Sequence, residues 1–382
     1  MPPQIRVLYL TINPNRESTT RPTEYWITSL RSRGLEPVLV TSEPGPFMTW
    51  AKAQGIPGYT LPLPFPSKLR PWPFLVAWFR LWRIVRRHRI QLIHCNEHNV
   101  YPIGQYLARL CRLPVVVSVH FTVTRAFAAW AFGGARQPDR IFFLSAGNLS
   151  ECRPAVSGIV AESRWRLLPN VIDLDWFRPD EQRRVLFRRQ HQVEAAVVLG
   201  NASALRPRKQ LEHFFAATAR LNDPRVHVVV AGRAMPGDER YAEQLLDNAR
   251  QLLGDRFHYF GHCSDLREFY NGLDLFINTS QEESFGLSVL EALACGCPVV
   301  GYASKCVDEL VLPNGGEIVV QDKIDSLATA LENWSNDPQR METTRGTARL
   351  QVAERFDPQR IILQLWNDYQ ELVKAGRDRR DA

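Results

Sequence analysis

The sequence predicts an α/β protein of two doubly wound, Rossmann-like domains, and three observations carry that prediction. The chain has 382 residues, more than one hydrophobic core normally serves, so two domains are expected. Short, nearly continuous apolar runs alternate with helical stretches, the pattern of strands buried on both faces of a parallel sheet. The alternation starts afresh near residue 195, after a charged stretch, so one set becomes two.

In the first set, IRVLYLT (5–11) precedes a helix over 21–33, Gly34 and EPVLVTS (36–42). RPWPFLVAWFRLWRIVRRHR (70–89) spaces Phe74, Trp78, Leu81, Trp82 and Val85 as one helical stripe, with Arg80, Arg83, Arg86, Arg87 and Arg89 beside it. Two readings follow: the stripe packs on the sheet with the arginines in water, or it enters the headgroup layer of an anionic membrane. QLIHCN (91–96), a helix over 100–112, PVVVSVH (114–120) and RIFFLSA (140–146) continue the alternation. The second set comprises AAVVLGNASAL (195–205), VHVVVAG (226–232), FHYFGH (257–262), LDLFINTS (273–280), CPVVGYA (297–303) and GEIVVQ (316–321). Helices are expected over 210–220, over 239–253 and after Gly286. The expected domains are 1–180 and 181–358, with a helix over 359–382 crossing back to the first. Such sheets bind ligands at the carboxyl ends of their strands, so a cleft between the two domains is the expected site.

Composition excludes several classes. No run approaches ~18 apolar residues, so no transmembrane helix is expected, and the amino terminus lacks the cleavage site of a signal peptide. Seven cysteines without framework spacing point to free thiols and the cytoplasm. Residues 1–180 hold 22 Lys+Arg against 11 Asp+Glu, whereas the remainder holds 25 against 29. The basic half is expected to meet something negative, a phosphate-bearing acceptor or the inner face of an anionic membrane. Nucleic acid is not expected, because no aromatic-and-basic binding module is present.

Chemistry concentrates in EESFGLSVLEALACGCPVV (282–300). Glu283 and Glu291 stand eight residues apart around Phe285-Gly286, at the start of a helix. Acids there usually serve the helix dipole. The free amides of Phe285, Gly286, Leu287 and Ser288 would also face an anion, and glycine lets a phosphate approach the backbone. Glu291 lies five residues into the helix, roughly 7.5 Å along its axis. The stretch resembles the nucleotide-sugar signature of retaining glycosyltransferases of family four, which have the GT-B fold. SVH (118–120), FFLS (142–145), LLPNVID (167–173), SALRPRKQ (203–210), VVVAGR (228–233) and YFGH (259–262) resemble further family pieces in the right order.

The resemblance implies a GT-B enzyme that moves a sugar from a UDP-, GDP- or ADP-sugar to a sugar or lipid-linked acceptor, with retention and with no cofactor or metal. It places Glu283 on the donor sugar, Glu291 on the ribose, and Arg206 and Lys209 on the diphosphate leaving group, where fixed cations stabilise developing charge. His120 would face the donor sugar. Cys263 and the backbone near His262 would hold the base, and Ser145 and Asn170 would line the cleft. Arg208 is expected to be a solvated neighbour.

Some positions depart from the family pattern. The loop after the first strand lacks the usual Gly-Gly, so Asn15 or Arg16 is expected to substitute or to shape the acceptor site. Lys305-Cys306 replaces a second Gly-Gly pair. HCNEH (94–98) spells a zinc-peptidase pattern, but that motif needs a helix and this one starts at a strand end; His94 and Glu97 are taken as acceptor-side candidates. Two alternatives stay open: an inactive nucleotide-sugar-binding protein, and an epimerase or hydrolase acting on the nucleotide sugar alone.

Overall fold

The computed structural model describes residues 4–17 and 19–381, with side chains described through Asp378. The chain divides into two compact units, Met1–Val171 with Pro358–Ala382, and Ile172–Asp357.

Unit 1 begins with β1 (Ile5–Thr11), α1 (Thr20–Arg31), β2 (Leu35–Thr41), α2 (Pro46–Ala53), β3 (Gly58–Thr60), α3 (Pro71–Arg87) and β4 (Leu92–Cys95). It continues with α4 (Tyr101–Cys111), β5 (Val115–Val119), α5 (Arg125–Phe132), β6 (Arg140–Phe143), α6 (Ala146–Val156) and β7 (Trp165–Leu167). All pairings are parallel, in the order β3-β2-β1-β4-β5-β6-β7. Val115, Val116, Val117 and Val119 of β5 are all buried, as the unbroken apolar run requires of a strand covered by helices on both faces.

Unit 2 begins with α7 (Glu181–Gln190), β8 (Val197–Ala202), α8 (Leu211–Arg220), β9 (Val226–Ala231), α9 (Glu239–Leu253), β10 (Phe257–Tyr259) and α10 (Arg267–Gly272). There follow β11 (Leu275–Asn278), α11 (Leu287–Ala294), β12 (Val299–Tyr302), α12 (Lys305–Val311), β13 (Gly316–Val319), α13 (Ile324–Ser335) and α14 (Pro338–Arg355). Its parallel sheet runs β10-β9-β8-β11-β12-β13. The order in both sheets steps outward from the first strand and then resumes on its other side. A doubly wound sheet has its topological switch point there: between β1 and β4 in unit 1, and between β8 and β11 in unit 2.

The unit boundary differs from the expected one. Unit 2 starts at Ile172 and not at 181, and the charged stretch after residue 180, expected as the boundary, is helix α7, anchored in unit 2. Phe187 is buried against Gly272, where an added Cβ would collide with its ring. Arg184 and Arg188 hold Asp274 at 2.5 and 3.0 Å. Burial alone would raise the Asp274 carboxyl, but the two guanidiniums outweigh it and hold it below its ordinary value.

The last helix, α15 (Pro358–Asp381), belongs to unit 1. The hydroxyl of Tyr369 lies 3.1 Å from that of Tyr9 and 2.5 Å from Nδ1 of His94. Arg140 at the start of β6 holds Asp368 and Glu371 at 3.2 and 2.7 Å. In α3 the stripe Phe74, Trp78, Leu81, Trp82 and Val85 packs into the unit 1 core together with Ala77 and Ile84. The membrane reading of that particular stripe is therefore corrected: it is the sheet-facing side of the helix.

Candidate active site

The switch point of unit 2 gathers the charged residues. After β8 the chain makes a tight turn over Pro207–Lys209 and passes through Gln210 with φ 47°. After β11 it runs through 279–286 before α11. The two loops are stitched together: Thr279 Oγ1 donates to the Lys209 carbonyl and the Gln281 N–H to that of Arg208, both at 2.9 Å. This brings Lys209 Nζ to 2.6 Å from Glu283 Oε2, with side-chain exposures of only 11% and 15%. Burial raises the Glu283 carboxyl, but Lys209, Arg208 and a hydrogen bond from Ser280 more than offset it and hold it below its ordinary value.

Gly286 precedes α11 with φ 91°, in the region that favours glycine, and a Cβ there would lie 3.1 Å from Leu310. No side chain caps α11, so the first-turn amides of Leu287 and Ser288 keep their donors for an anion. Phe285 is buried edge-on against Phe356, which fixes the loop between Glu283 and the helix. Glu291, the fifth residue of α11, is buried and accepts from the Tyr270 hydroxyl at 2.8 Å.

Other predicted residues of this unit sit nearby in the chain but are engaged differently. Arg206 lies 3.6 Å from Asp238 and is 38% exposed. Cys263 lies in the loop after β10, half-buried, its thiol raised by burial. Arg208, expected to be solvated, is a correction: it is half-buried, its Nε has no partner, and its charge acts on Glu283. A strand–turn–helix places 206, 208 and 209 on one short loop, so spacing could not separate a cation turned outward from one turned inward.

Unit 1 is furnished with neutral groups. His120, just after β5, is buried. Burial lowers it to about 3, with the nearby His98 adding to the shift and a backbone hydrogen bond to Asn96 opposing it. That bond requires a ring N–H donor, and Nε2 has no partner, so Nδ1 donates and Nε2 keeps its lone pair. His98 stands at the carboxyl side of β4, edge-on to Phe127, with Nδ1 buried and unpartnered and its acidity shifted by burial to about 4. Asn170 is buried with Oδ1 unpartnered. Buried polar atoms are normally satisfied, so the unpartnered acceptors His120 Nε2 and Asn170 Oδ1, each just past a strand end, suit hydroxyl or amide donors.

Two of the acceptor-side candidates are corrected. His94 is fully buried within β4, its nitrogens occupied by Tyr369 and Ser118; desolvation and the nearby His120 lower it to about 3. Glu97 is buried too, receiving Thr11 at 2.7 Å, Thr19 at 2.9 Å, Asn96 at 3.2 Å and the Ile12 N–H at 3.3 Å. Its carboxyl is raised because burial outweighs these bonds. It braces the loop after β1. Ser145 caps α6, its Oγ accepting the Asn148 N–H at 2.9 Å. In the β1 loop, Arg16 grips Glu24 of α1 through two nitrogens at 2.7 and 2.9 Å, and the Asn15 N–H closes onto Asn13 Oδ1 at 3.0 Å. His98 is the residue the sequence argument missed. It sits in HCNEH beside the two candidates chosen, and its signal is position: it lies past the strand end, whereas His94 lies within the strand.

Comparison with known proteins places this geometry. The family described as Glycosyltransferase Family 4 matches residues 23–176, and the one described as Glycosyl transferases group 1 matches 183–351. The lipopolysaccharide core biosynthesis mannosyltransferase LpcC of Rhizobium leguminosarum bv. viciae is 25% identical over 68% of this chain and 72% of its own length. The D-inositol 3-phosphate glycosyltransferase of Geodermatophilus obscurus is 36% identical over 54% of this chain and 51% of its own. Among solved structures, Anabaena Alr3699/HepE in complex with UDP-glucose superposes with a TM-score of 0.85 at 21% identity, covering 97% of this chain and all of that one. The fold is GT-B, and the chain belongs to the family-four glycosyltransferases.

Proposed function

We propose that the protein transfers a sugar from a nucleoside-diphosphate sugar to an acceptor hydroxyl with retention of configuration and without a metal. The observation that carries this reading is the buried Lys209–Glu283 pair beside the uncapped, glycine-led start of α11. The glycine and amides suit a diphosphate, the cation suits its developing charge, and the carboxylate suits sugar hydroxyls.

In the proposed reaction the acceptor oxygen attacks the anomeric carbon on the face the diphosphate leaves. The carbon–oxygen bond to the diphosphate breaks, the electron pair stays on phosphate, and a phosphate oxygen takes the acceptor proton. Lys209, with Arg206 and Arg208 on the same loop, offsets the negative charge that collects there. Glu283, kept ionised by Lys209 and Arg208, orients the sugar; Glu291 accepts from ribose hydroxyls, and Cys263 lines the base site. His120 is neutral near pH 7, so it accepts a sugar hydroxyl through Nε2 rather than acting as an acid. Asn170 offers a second acceptor on unit 1. A lipid-linked or polysaccharide precursor is the acceptor class that the basic first unit favours.

A thermal-shift panel of UDP, GDP, ADP and their sugars, with EDTA present, tests the reading. UDP comes first because the structural neighbour binds UDP-glucose. At ~100 times its dissociation constant a ligand stabilises the fold by about 2.7 kcal/mol. One nucleotide should shift the midpoint without metal and lose that shift in Glu291→Ala; no shift with any nucleotide defeats the proposal.

A further inference from the structure

The face of α3 opposite its buried stripe is not polar. Trp72, Leu75, Val76 and Phe79 are 73%, 43%, 49% and 53% exposed, and their spacing of three, four and seven residues puts them on one side of the helix. The same side continues one turn further as Arg83 and then Arg86 and Arg87, all exposed. Phe65 and Leu69, just before the helix, are also exposed, and Phe65 meets the exposed Trp130 edge-on. Helix α4 lies alongside, with Phe74 edge-on to Tyr106 and with Tyr106, Arg109, Leu110 and Arg112 exposed.

Charge on this surface is one-sided. Between residues 44 and 138 the sequence holds twelve Lys+Arg and a single acid, Glu97, which is buried in the network after β1. Among the described residues no carboxylate pairs with Arg83, Arg86, Arg87, Arg89, Arg109 or Arg112. Where α3 and α4 end together, Arg86, Arg89, Arg112 and Arg377 line an open pocket of about 770 Å³ with Trp82 and Leu110.

We propose that this face docks unit 1 on an anionic phospholipid bilayer. Trp72, Leu75, Val76 and Phe79 enter the headgroup layer, and the arginines with their shared pocket hold lipid phosphates. Exposed aromatics beside unpaired cations fit that surface on two counts: apolar burial and attraction to negative charge. Among the described residues no helix is long and apolar enough to cross a membrane, so the contact is peripheral. Helix α3 leads from β3 to β4 in a parallel sheet and so runs against the strands. Its apolar half therefore lies toward the carboxyl edge of the unit 1 sheet, the edge that carries His98 and His120. A lipid-linked acceptor, the class proposed above, would reach that edge from the same surface.

The test is co-sedimentation of the full chain with vesicles of phosphatidylcholine alone or with about 30 mol % phosphatidylglycerol, at low and high salt. It needs no turnover, so its outcome is independent of the donor panel. Binding is expected to the anionic vesicles alone and to weaken with salt. Arg83→Gln/Arg86→Gln/Arg87→Gln should weaken it roughly 100-fold, from about fivefold per arginine. Trp72→Ser/Phe79→Ser should weaken it by about tenfold or more. Both variants change exposed residues and should keep the wild-type melting midpoint. Absence of binding to anionic vesicles overturns the proposal. So does unchanged binding by Trp72→Ser/Phe79→Ser, or competition by free inorganic phosphate, which would mark a phosphate site. A wild-type dimer in sedimentation velocity that those serines convert to monomer would assign the face to a second copy of the chain instead.

Discussion

At the carboxyl end of the unit 2 sheet, Lys209 and Glu283 carry opposite charges and satisfy each other at 2.6 Å. At the same end of the unit 1 sheet, His98 and His120 are neutral near pH 7, and each leaves a ring nitrogen without a partner. The two units share a topology but prepare for different ligands. A diphosphate needs fixed charge, and fixed charge held out of water must be paired while it waits. A hydroxyl-bearing acceptor needs only lone pairs, which a buried neutral imidazole supplies without a counter-ion.

The largest expected effect breaks the charged side of this comparison. Lys209→Ala should lower kcat/KM by about 10²–10³ and destabilise the fold by about 3–5 kcal/mol, because Glu283 is left buried and unpaired. Lys209→Met/Glu283→Leu should recover most of that stability, measured by urea unfolding, while activity stays lost. Recovery of both would show the pair to be merely structural.

The neutral side should break with acid. His94, His98 and His120 lie near 3, 4 and 3 in the fold, below the ordinary histidine value of about 6.5. The unfolded chain therefore binds more protons between these values, and stability falls as pH drops below about 6.5. Each histidine contributes up to about 1.4 kcal/mol per pH unit. Asp274 and Glu283 of unit 2 are depressed carboxylates, so their contribution is lost only as pH falls below the ordinary carboxylate range. His191, His227 and His258 in unit 2 shift in the same direction as the unit 1 histidines but are more exposed. Hydrogen exchange at pH 7 and pH 5 should show unit 1 amides loosening first. Equal loosening would mean that the buried imidazoles do not set the difference.

A smaller effect sharpens the donor side. Gly286→Ala forces a Cβ onto φ 91° and toward Leu310, at a cost of about 1–2 kcal/mol. Nucleotide affinity should drop more than the melting midpoint does, because the strained loop is the one that meets phosphate. The smallest effect concerns the cap of α6: Ser145→Ala should cost about 1 kcal/mol and leave nucleotide affinity unchanged in a titration.

The alternation of strands and helices was legible because strands covered on both faces read as unbroken apolar runs; β1 spans the residues expected of it, Ile5–Thr11. Two short strands of unit 1 were not legible. β3 and β7 have three residues each, too few to show a period. Helix α7 read only as a charged boundary stretch because its stability rests on Arg184 and Arg188 reaching Asp274, about ninety residues away in sequence. Glu283, Gly286 and Glu291 were legible as a group because one loop and one helix fix their spacing. In unit 1 the candidates depended on which side chains turn outward, and sequence spacing does not give that. His94 and Glu97 looked like surface chemistry and proved to be internal bracing, while His98 between them and α4 kept its nitrogen open.

Helix α15 sets a condition on how the protein is made. Tyr9 and His94 share the Tyr369 hydroxyl, yet about two hundred residues separate Val171 from Tyr369. At ~5–20 residues per second a ribosome needs about 10–40 s to cover that distance. Throughout that interval the first half of the chain waits with a buried histidine and tyrosine uncovered, while all of the second unit emerges and can fold. The part synthesised first is therefore completed last, and a nascent chain stalled before residue 369 would expose the back of its own first sheet to chaperones and proteases.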